Sequence, residues 1–185
     1  MRIIAGHNRG IALASLGKGD ASAHLRPTTD RVRESLFSIL RGGRFGAPIE
    51  GARVLDLFAG TGALALEALS RGAASAVLVE NGRVGQRLIA ENIQRCKAED
   101  TAHLLRRDAR RIGPANAPAN LIFLDPPYDK KLGEQALSAA MRGGWIAPEA
   151  LIVWEERAEI VVPDGLALLD QRRFGDTQIS FLRAV

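Results

Sequence analysis

Residues 121–128 are Leu121-Ile122-Phe123-Leu124-Asp125-Pro126-Pro127-Tyr128, an apolar run that ends in an acid, two prolines and an aromatic ring. Such a short run, with β-branched and aromatic members, favours a buried parallel strand. Asp125 then lies at the carboxyl end of the strand, the edge at which open α/β sheets bind ligands. The two prolines stiffen the backbone beyond it, so that the carbonyl group of Pro126 has a fixed direction.

The chemistry of these residues suits an exocyclic amine on a planar base. The Asp125 carboxylate and the Pro126 carbonyl can each accept one hydrogen bond from the amine, and the Tyr128 ring can stack on the base. An ordinary strand end before a Pro-Pro turn is the alternative, but this tetrapeptide arises by chance in roughly 1 in 1,000 chains of this size. We therefore predict that the catalytic residues are Asp125, Pro126, Pro127 and Tyr128.

The composition is typical of a globular protein. The chain has 185 residues, of which 46% are hydrophobic and 25% are charged, and this size favours one domain over residues 1–185. Cys96 is the only cysteine, so disulfides within the chain are excluded, and no His or Cys cluster predicts a metal site. No apolar run approaches membrane-spanning length and the N-terminus has no signal-like apolar stretch, so we expect a cytoplasmic protein.

The charge balance points to a polyanionic partner. The net charge is +4, and all but four of the 25 basic residues are arginine. Arginine binds phosphate through two parallel hydrogen bonds and stacks on bases, which fits a nucleic acid. A general bias of the composition toward Arg, Ala and Gly explains the same excess, so the charge alone decides nothing.

The N-terminal residues 1–41 are predicted to form a basic extension. Residues 2–5 and 10–13 flank the turn-like residues 6–9, which indicates a small hairpin, and residues 31–40 have the apolar spacing of a helix capped by Thr29 or Asp30. We predict that this extension holds RNA phosphates next to the active site. A solvated basic face is the alternative for each side chain. The predicted RNA-binding residues are Arg2, Arg9, Arg26, Arg31 and Arg33.

A second motif predicts a cofactor site. Residues 53–58 form an apolar strand, residues 59–62 a glycine turn and residues 63–71 a helix, an arrangement that lets the backbone approach a ligand. The next strand, residues 75–79, ends in Glu80, and an acid at that position normally binds ribose hydroxyls.

The spacing from Gly60 to Glu80 also loosely matches a dinucleotide site, but Asp56 argues against it. A carboxylate there repels a pyrophosphate and suits the ammonium group of S-adenosylmethionine, which makes an NAD-dependent oxidoreductase the weaker choice.

The rest of the chain alternates helices and strands. We predict a helix over residues 82–97, a strand over 103–107, a helix over 130–142, a strand over 150–155 and a terminal hairpin over 166–174 and 177–185. This order indicates an α/β fold, with a mostly parallel sheet, helices on both faces and a C-terminal antiparallel hairpin. Cys96 is expected on the helix surface or half-buried. Asp108 either accepts the adenine amine or caps a helix. The predicted cofactor-binding residues are Asp56, Phe58, Ala59, Gly60, Thr61, Gly62, Glu80, Asp108 and Ala109.

These motifs together resemble the bacterial 16S rRNA guanine-N2 methyltransferases of the RsmD type, a class I S-adenosylmethionine-dependent family. The catalytic-domain motifs occur in many methyltransferases, whereas the N-terminal residues narrow the resemblance to this family, which covers nearly the whole chain. The residues that carry the resemblance are Met1-Arg2-Ile3-Ile4-Ala5-Gly6, Arg9-Gly10, Arg26-Pro27-Thr28, Asp30-Arg31-Val32-Arg33-Glu34-Ser35-Leu36-Phe37, Asp56-Leu57-Phe58-Ala59-Gly60-Thr61-Gly62, Asp125-Pro126-Pro127-Tyr128 and Phe174-Gly175-Asp176-Thr177.

The resemblance implies a Rossmann-like sheet of seven strands whose last strand is antiparallel, with a catalytic core over residues 51–185. It further implies methyl transfer from S-adenosylmethionine to the N2 amine of one guanine in 16S rRNA. The expected partner is an assembled or assembling small ribosomal subunit, bound by a monomer without metal. Two alternatives remain: a DNA amino-methyltransferase, for which the chain leaves little room to read base edges, and a non-catalytic RNA-binding ribosome assembly factor.

Overall fold

The computed structural model describes residues 1–15, 30–127 and 131–185. The predicted alternation of helices and strands is present throughout these ranges. In chain order the elements are α1 (Asp30–Arg41), β1 (Arg53–Leu57), α2 (Ala63–Ser70), β2 (Ser75–Val79), α3 (Arg83–Arg95), β3 (Ala102–Leu105), a 3₁₀ turn (Ala109–Arg111), β4 (Ala119–Leu124), α4 (Leu132–Arg142), β5 (Ile146–Glu156), β6 (Leu166–Phe174) and β7 (Thr177–Ala184).

The strands form one seven-stranded sheet in the order β3-β2-β1-β4-β5-β7-β6. The neighbours from β3 to β5 pair in parallel, and β7 pairs antiparallel with both β5 and β6. This confirms the mostly parallel sheet with a C-terminal antiparallel hairpin. In the register of β1 and β4, Leu57 pairs with Leu124. Residue 125 and the glycine turn therefore leave the sheet side by side at its carboxyl edge.

Apolar residues on both faces of the sheet explain why its central strands are fully buried. On one face α1, α2 and α3 contribute Leu36, Leu66 and Ile89 to a core cluster that also contains Phe123. On the other face α4 and the 3₁₀ turn pack against residues such as Trp154. Because β1 and β4 are covered on both sides, they are nearly continuous apolar runs, as parallel strands require.

Residues 1–14, called the arm below, form the predicted hairpin. Ile3 N donates to Ile11 O at 3.0 Å, and Leu13 N donates to Met1 O at 3.1 Å. The turn of the hairpin rests directly on the end of α2, because a Cβ built on Gly6 would lie 1.6 Å from the Ser70 carbonyl oxygen. Gly6 also has φ +86°, so only glycine fits this contact without strain.

Two predicted details differ from the structure. β5 begins at Ile146 rather than at residue 150, with an irregular register between Ala119 and Leu121 of the neighbouring strand. Pro148 and Glu149, which weakened the strand pattern, lie next to this irregularity, and Glu149 has φ +59°. Cys96 is 3% exposed rather than half-buried, because the arm covers the end of α3.

Candidate active site at the carboxyl edge of the sheet

The glycine turn, residues 59–62, links β1 to α2. Gly60 and Gly62 have φ values of +58° and +77°, and Ala59 N donates to Val79 O at 3.0 Å. A Cβ on Gly62 would lie 2.8 Å from Leu78 Cδ2, so a larger residue would push the turn away from β2. The turn is therefore fixed against the sheet at the start of α2, with Gly60 its least buried residue.

Glu80 lies against this turn rather than in solvent. Its side chain is 8% exposed, Oε2 accepts from Gly60 N at 2.9 Å, and Oε1 accepts from Gly82 N at 2.6 Å. Gly85 leaves the space for this carboxylate, because a Cβ there would lie 2.8 Å from Glu80 Cγ. An acid in this position offers its remaining lone pairs to a ligand at the end of β2.

Asp56 is almost fully buried beneath the turn, with 2% exposure. Its Oδ2 accepts from Ala65 N at 3.2 Å, which satisfies a backbone donor in the first turn of α2, where Gly62 provides no side-chain cap. The pKa of Asp56 is raised to about 7, mainly by burial; the hydrogen bond from Ala65 opposes this shift and the negative charge of Glu80 adds to it. A cationic ligand next to Asp56 would favour its charged form.

Asp125 follows β4 directly, as predicted. It is partly exposed, Pro126 is buried and Pro127 is exposed. Because Leu57 and Leu124 are paired, Asp125 leaves the sheet next to Phe58 and the glycine turn. Tyr128 lies outside the described residues, so its stacking role stays a prediction.

Asp108 has the capping role that the sequence offered as one of two possibilities. Its Oδ1 accepts from Arg110 N at 2.9 Å at the start of the 3₁₀ turn, and its carboxylate also pairs with the Arg110 guanidinium. The hydrogen bond from the Arg110 side chain is the main reason that the pKa of Asp108 is lowered. Binding of adenine by Asp108 and Ala109 stays a prediction.

The arginines predicted to bind RNA do not share one edge of the sheet. Arg2, Arg9 and Arg31 are exposed, and Arg26 lies outside the described residues. The hairpin turn that carries Arg9 contacts Ser70, at the end of α2 that faces away from the glycine turn.

Arg31 lies near the beginning of α1, whereas Arg41, at the end of that helix, lines a cleft of about 440 Å³ together with Glu50 and Arg71. The end of α1 that carries Arg41 therefore lies near the entry to β1, and Arg31 lies at the opposite end of the helix.

Arg33 does not fit the predicted contact with RNA. Its side chain is 0% exposed and donates to Arg2 O and to Asp30 Oδ1, the latter at 3.0 Å. Its Nε also lies 3.8 Å from Glu67 Oε2, and Glu67 is itself fully buried. Arg33 is therefore a structural residue that connects α1 with the arm and α2, and its prediction as a phosphate-binding residue is wrong.

The residues that hold the arm in place were not found from the sequence. Glu67 accepts from Ile4 N at 2.8 Å and from Ala5 N at 3.0 Å. In α3, Asn92 bonds to both backbone groups of Ala14. Asn92 lies on the apolar face of α3 with Leu88, Ile89 and Ile93. Glu67 lies in a helix that is otherwise apolar except for Ser70, so the position of each residue was the only signal in the sequence for a buried role.

The comparisons with known proteins concern the family and the fold. Residues 1–183 match the family model described as conserved hypothetical protein 95. The chain belongs to this family. It is 40% identical to ribosomal RNA small subunit methyltransferase D of Escherichia coli (strain K12) over 164 residues, which cover 88% of this chain and 78% of that protein.

A second relative and one solved structure extend the match. The Haemophilus influenzae (strain Rd) protein of the same name is 35% identical over 181 residues, which cover 95% of this chain and 89% of that protein. The structure of yhhF from Escherichia coli has a TM-score of 0.84 and 37% identity, and the match covers 100% of this chain and 97% of that chain.

Family membership confirms the Rossmann-like class I methyltransferase fold and identifies the chain as a methyltransferase. The family match begins with the arm and ends within β7, so the arm belongs to the pattern that defines the family. No helix in the described part of the chain has the length and apolar character that crossing a membrane requires.

Proposed function

We propose that this chain methylates the exocyclic N2 amine of a guanine in small-subunit rRNA, with S-adenosylmethionine as the methyl donor. The observation that carries the proposal is the pairing of Leu57 with Leu124, because Asp125 follows directly after Leu124 at the same edge as the glycine turn. The names of the relatives, ribosomal RNA small subunit methyltransferase D, support the choice of RNA.

The residues around the turn fit S-adenosylmethionine. Two buried carboxylates, Asp56 and Glu80, flank it, and residues 56–62 and 80–82 contain no basic side chain that would neutralise a pyrophosphate. Asp56 would face the ammonium group, Glu80 the ribose hydroxyls, and Asp108 with Ala109 the adenine. When bound, S-adenosylmethionine supplies a methyl group on an electrophilic sulfonium.

The residues after β4 act on the amine. Guanine N2 is a weak nucleophile, since its lone pair is delocalised into the ring. Hydrogen bonds from N2 to the Asp125 carboxylate and the Pro126 carbonyl orient the amine, and Tyr128 stacks on the unstacked base. Asp125 is partly exposed, so a proton released from N2 has a short path to water.

The RNA meets this edge through basic side chains that flank it. Arg31 is exposed at the beginning of α1, and Arg2 is exposed next to Met1, which contacts Thr61 of the glycine turn. Phosphate contacts of this kind position the RNA without selecting a sequence. We propose that the partner is 16S rRNA in an assembled or assembling small subunit, and that the protein acts in the cytoplasm as a monomer with one catalytic unit.

One experiment tests the reaction. The protein is incubated with labelled S-adenosylmethionine and small ribosomal subunits from a strain that lacks the modification, with free 16S rRNA and duplex DNA in parallel, and the labelled nucleoside is identified. We expect N2-methylguanosine from the RNA samples, and on the order of 10²–10³-fold less with Asp125→Asn. Label in DNA would favour the DNA amino-methyltransferase, and RNA binding without label in any sample would favour the assembly factor.

A further inference from the structure

Asn92 is a polar side chain at the centre of the buried face of α3. It is 0% exposed and lies between the buried residues Ile89 and Ile93. Its Oδ1 accepts from Ala14 N at 2.6 Å, and its Nδ2 donates to Ala14 O at 3.1 Å and to Thr61 O at 2.9 Å. One side chain thus joins α3, the arm and the glycine turn.

The buried amide of Asn92 ties the positions of the glycine turn and the arm together. A buried amide is costly unless its hydrogen bonds are formed, and both the oxygen and the nitrogen of Asn92 have partners here. The bonds can form only when Thr61 and Ala14 both occupy their present places. The turn and the arm therefore cannot shift relative to each other without leaving buried polar groups unpaired.

A second contact places the arm on the turn independently of Asn92. Thr61 Oγ1 lies 4.0 Å from Met1 Sδ, and Thr61 is 8% exposed. Met1 and Leu13 belong to the two paired strands of the arm. The open end of the hairpin therefore covers Thr61, in the middle of the turn that is proposed to hold the methyl donor.

The closed end of the arm is fixed to α2, which follows the same turn. Ser70 Oγ accepts from Asn8 N at 3.0 Å and donates to Ala5 O at 2.6 Å, and Glu67 accepts the two backbone donors described above. Both ends of the arm are therefore attached, the closed end to α2 and the open end to α3 and the glycine turn. Short, buried hydrogen bonds through Asn92 connect the turn to the arm.

We infer that Asn92 is a positioning residue that fixes Thr61 in the glycine turn and, through Ala14, makes arm docking and S-adenosylmethionine binding stabilise each other. The inference rests on the proposed function, since it names the ligand of the turn. Such coupling is reciprocal: a ligand that orders the turn also strengthens the docking of the arm, and a docked arm strengthens ligand binding.

Two measurements test this coupling. Calorimetry gives the affinity for S-adenosylhomocysteine, and hydrogen exchange of the Leu13 and Ala14 amides, with and without that ligand, reports arm docking. In the wild type we expect the ligand to slow exchange at both amides. In Asn92→Ala we expect the dissociation constant to rise about tenfold and the ligand effect on exchange to disappear.

Two further variants separate positioning from stability. Asn92→Asp keeps an acceptor for Ala14 N but replaces the donor to Thr61, so we expect the same loss of affinity and coupling. Arg95→Ala is the matched control, because Arg95 donates to Ala12 O of the arm at 2.9 Å and does not contact the turn. It removes one exposed bond, so the arm should remain docked in most molecules. Exchange in the arm should then be faster with and without ligand, the ligand should still slow it, and affinity should stay within about twofold of wild type.

Each outcome decides one point. A lower melting temperature of the Asn92 variants with unchanged affinity and a preserved ligand effect on exchange would make Asn92 merely structural and overturn the inference. Wild-type protein that binds the ligand without slower exchange at Leu13 and Ala14 would overturn it without any variant, even if both Asn92 variants fail to fold. Wild-type protein that does not bind S-adenosylhomocysteine would overturn the proposed function itself, and the inference with it.

Discussion

Glu80 Oε2 lies 2.9 Å from the backbone nitrogen of Gly60, so the predicted ribose-binding acid also holds the glycine turn by a hydrogen bond. Its other oxygen accepts from Gly82 N at 2.6 Å. The carboxylate is thus held by two backbone donors before any ligand arrives. A preorganised acceptor of this kind loses little freedom on binding, which favours affinity.

The first prediction concerns removal of this carboxylate. We expect Glu80→Ala to weaken S-adenosylhomocysteine binding by about 1–3 kcal/mol, because the ribose hydroxyls lose a charged acceptor and the turn loses its bond to Gly60. Glu80→Gln keeps one acceptor oxygen for the turn and should lose less. Calorimetry on both variants gives the order, and equal affinity in all three proteins would show that Glu80 does not contact the ligand.

The second prediction uses Gly85, which leaves space for Glu80. In Gly85→Ala the added methyl group would lie 2.8 Å from Glu80 Cγ and 3.0 Å from Gly60 O. We expect ligand affinity to fall about fivefold. The melting temperature should change little, because the preference of a helix for alanine, about 0.5–1 kcal/mol, offsets the strain of the close contacts. Unchanged affinity would mean that Glu80 moves aside at no cost to binding.

The sequence allowed the sheet and the turn to be predicted because their patterns are local. Each pattern can be recognised within a short stretch of about one strand and one turn. The patterns are the short apolar runs, the glycines at 60 and 62 and the acid at 80. The end of β2 at Val79 and both strands of the C-terminal hairpin agree with the structure to within a residue.

Arg33 shows why part of the site could not be predicted. The sequence predicted an apolar stripe of Val32, Leu36, Ile39 and Leu40 with Arg33 outside it. The buried face is instead Arg33, Leu36, Phe37 and Leu40, and the charge of Arg33 hid its place on that face. Its partner Glu67 lies on a different helix, and only the fold brings the two together. Asn92 escaped prediction for the same reason, since its partners are Ala14 and Thr61.

The third prediction concerns the pH dependence of stability. The folded-state pKa of Asp56 is about 7, above its ordinary value of 3.8, so the folded chain holds an extra proton between these values. The free energy of unfolding therefore falls as pH rises from about 4 to about 7. Asp56→Asn removes this slope, and we expect the variant to be more stable than wild type at pH 8, by on the order of 2 kcal/mol.

The affinity for the ligand should change with pH in the opposite direction to the free energy of unfolding: it should rise as pH rises toward 7. The ammonium group of the methyl donor needs the charged form of Asp56, so Asp56→Asn should bind S-adenosylhomocysteine more weakly at pH 8 despite its higher melting temperature. Wild-type affinity should fall below pH 7 and that of the variant should not. Denaturant unfolding and calorimetry at pH 5, 6, 7 and 8 measure the stability and the ligand affinity of both proteins. If wild type and Asp56→Asn had the same pH dependence, Asp56 would be excluded as the titrating group.

The fourth prediction separates catalysis from cofactor binding. Asp125 follows β4, whereas Asp56 and Glu80 flank the turn, so Asp125→Asn should leave the affinity for S-adenosylhomocysteine within about twofold. Methyl transfer should fall on the order of 10²–10³-fold, because the amide no longer provides a charged acceptor for the guanine amine. Single-turnover assays with labelled donor measure the rate. Transfer within a fewfold of wild type would remove Asp125 from the catalytic role.

The last prediction concerns the RNA-binding arginines, whose positions differ. Arg31 is exposed at the beginning of α1, the end of that helix away from the entry to β1, and Arg9 is exposed in the hairpin turn on the far end of α2. We expect Arg31→Ala to weaken RNA binding severalfold and to flatten the slope of log affinity against log salt by about 0.7–0.9, as expected for one lost phosphate contact, whereas Arg9→Ala should change neither. Arg33→Ala should instead lower stability by about 3–5 kcal/mol, since it leaves Glu67 without one of its buried partners. Binding curves at four salt concentrations, with melting temperatures beside them, distinguish these effects. Equal losses in Arg31→Ala and Arg9→Ala would mean that the RNA contacts the hairpin turn of the arm as well as the beginning of α1.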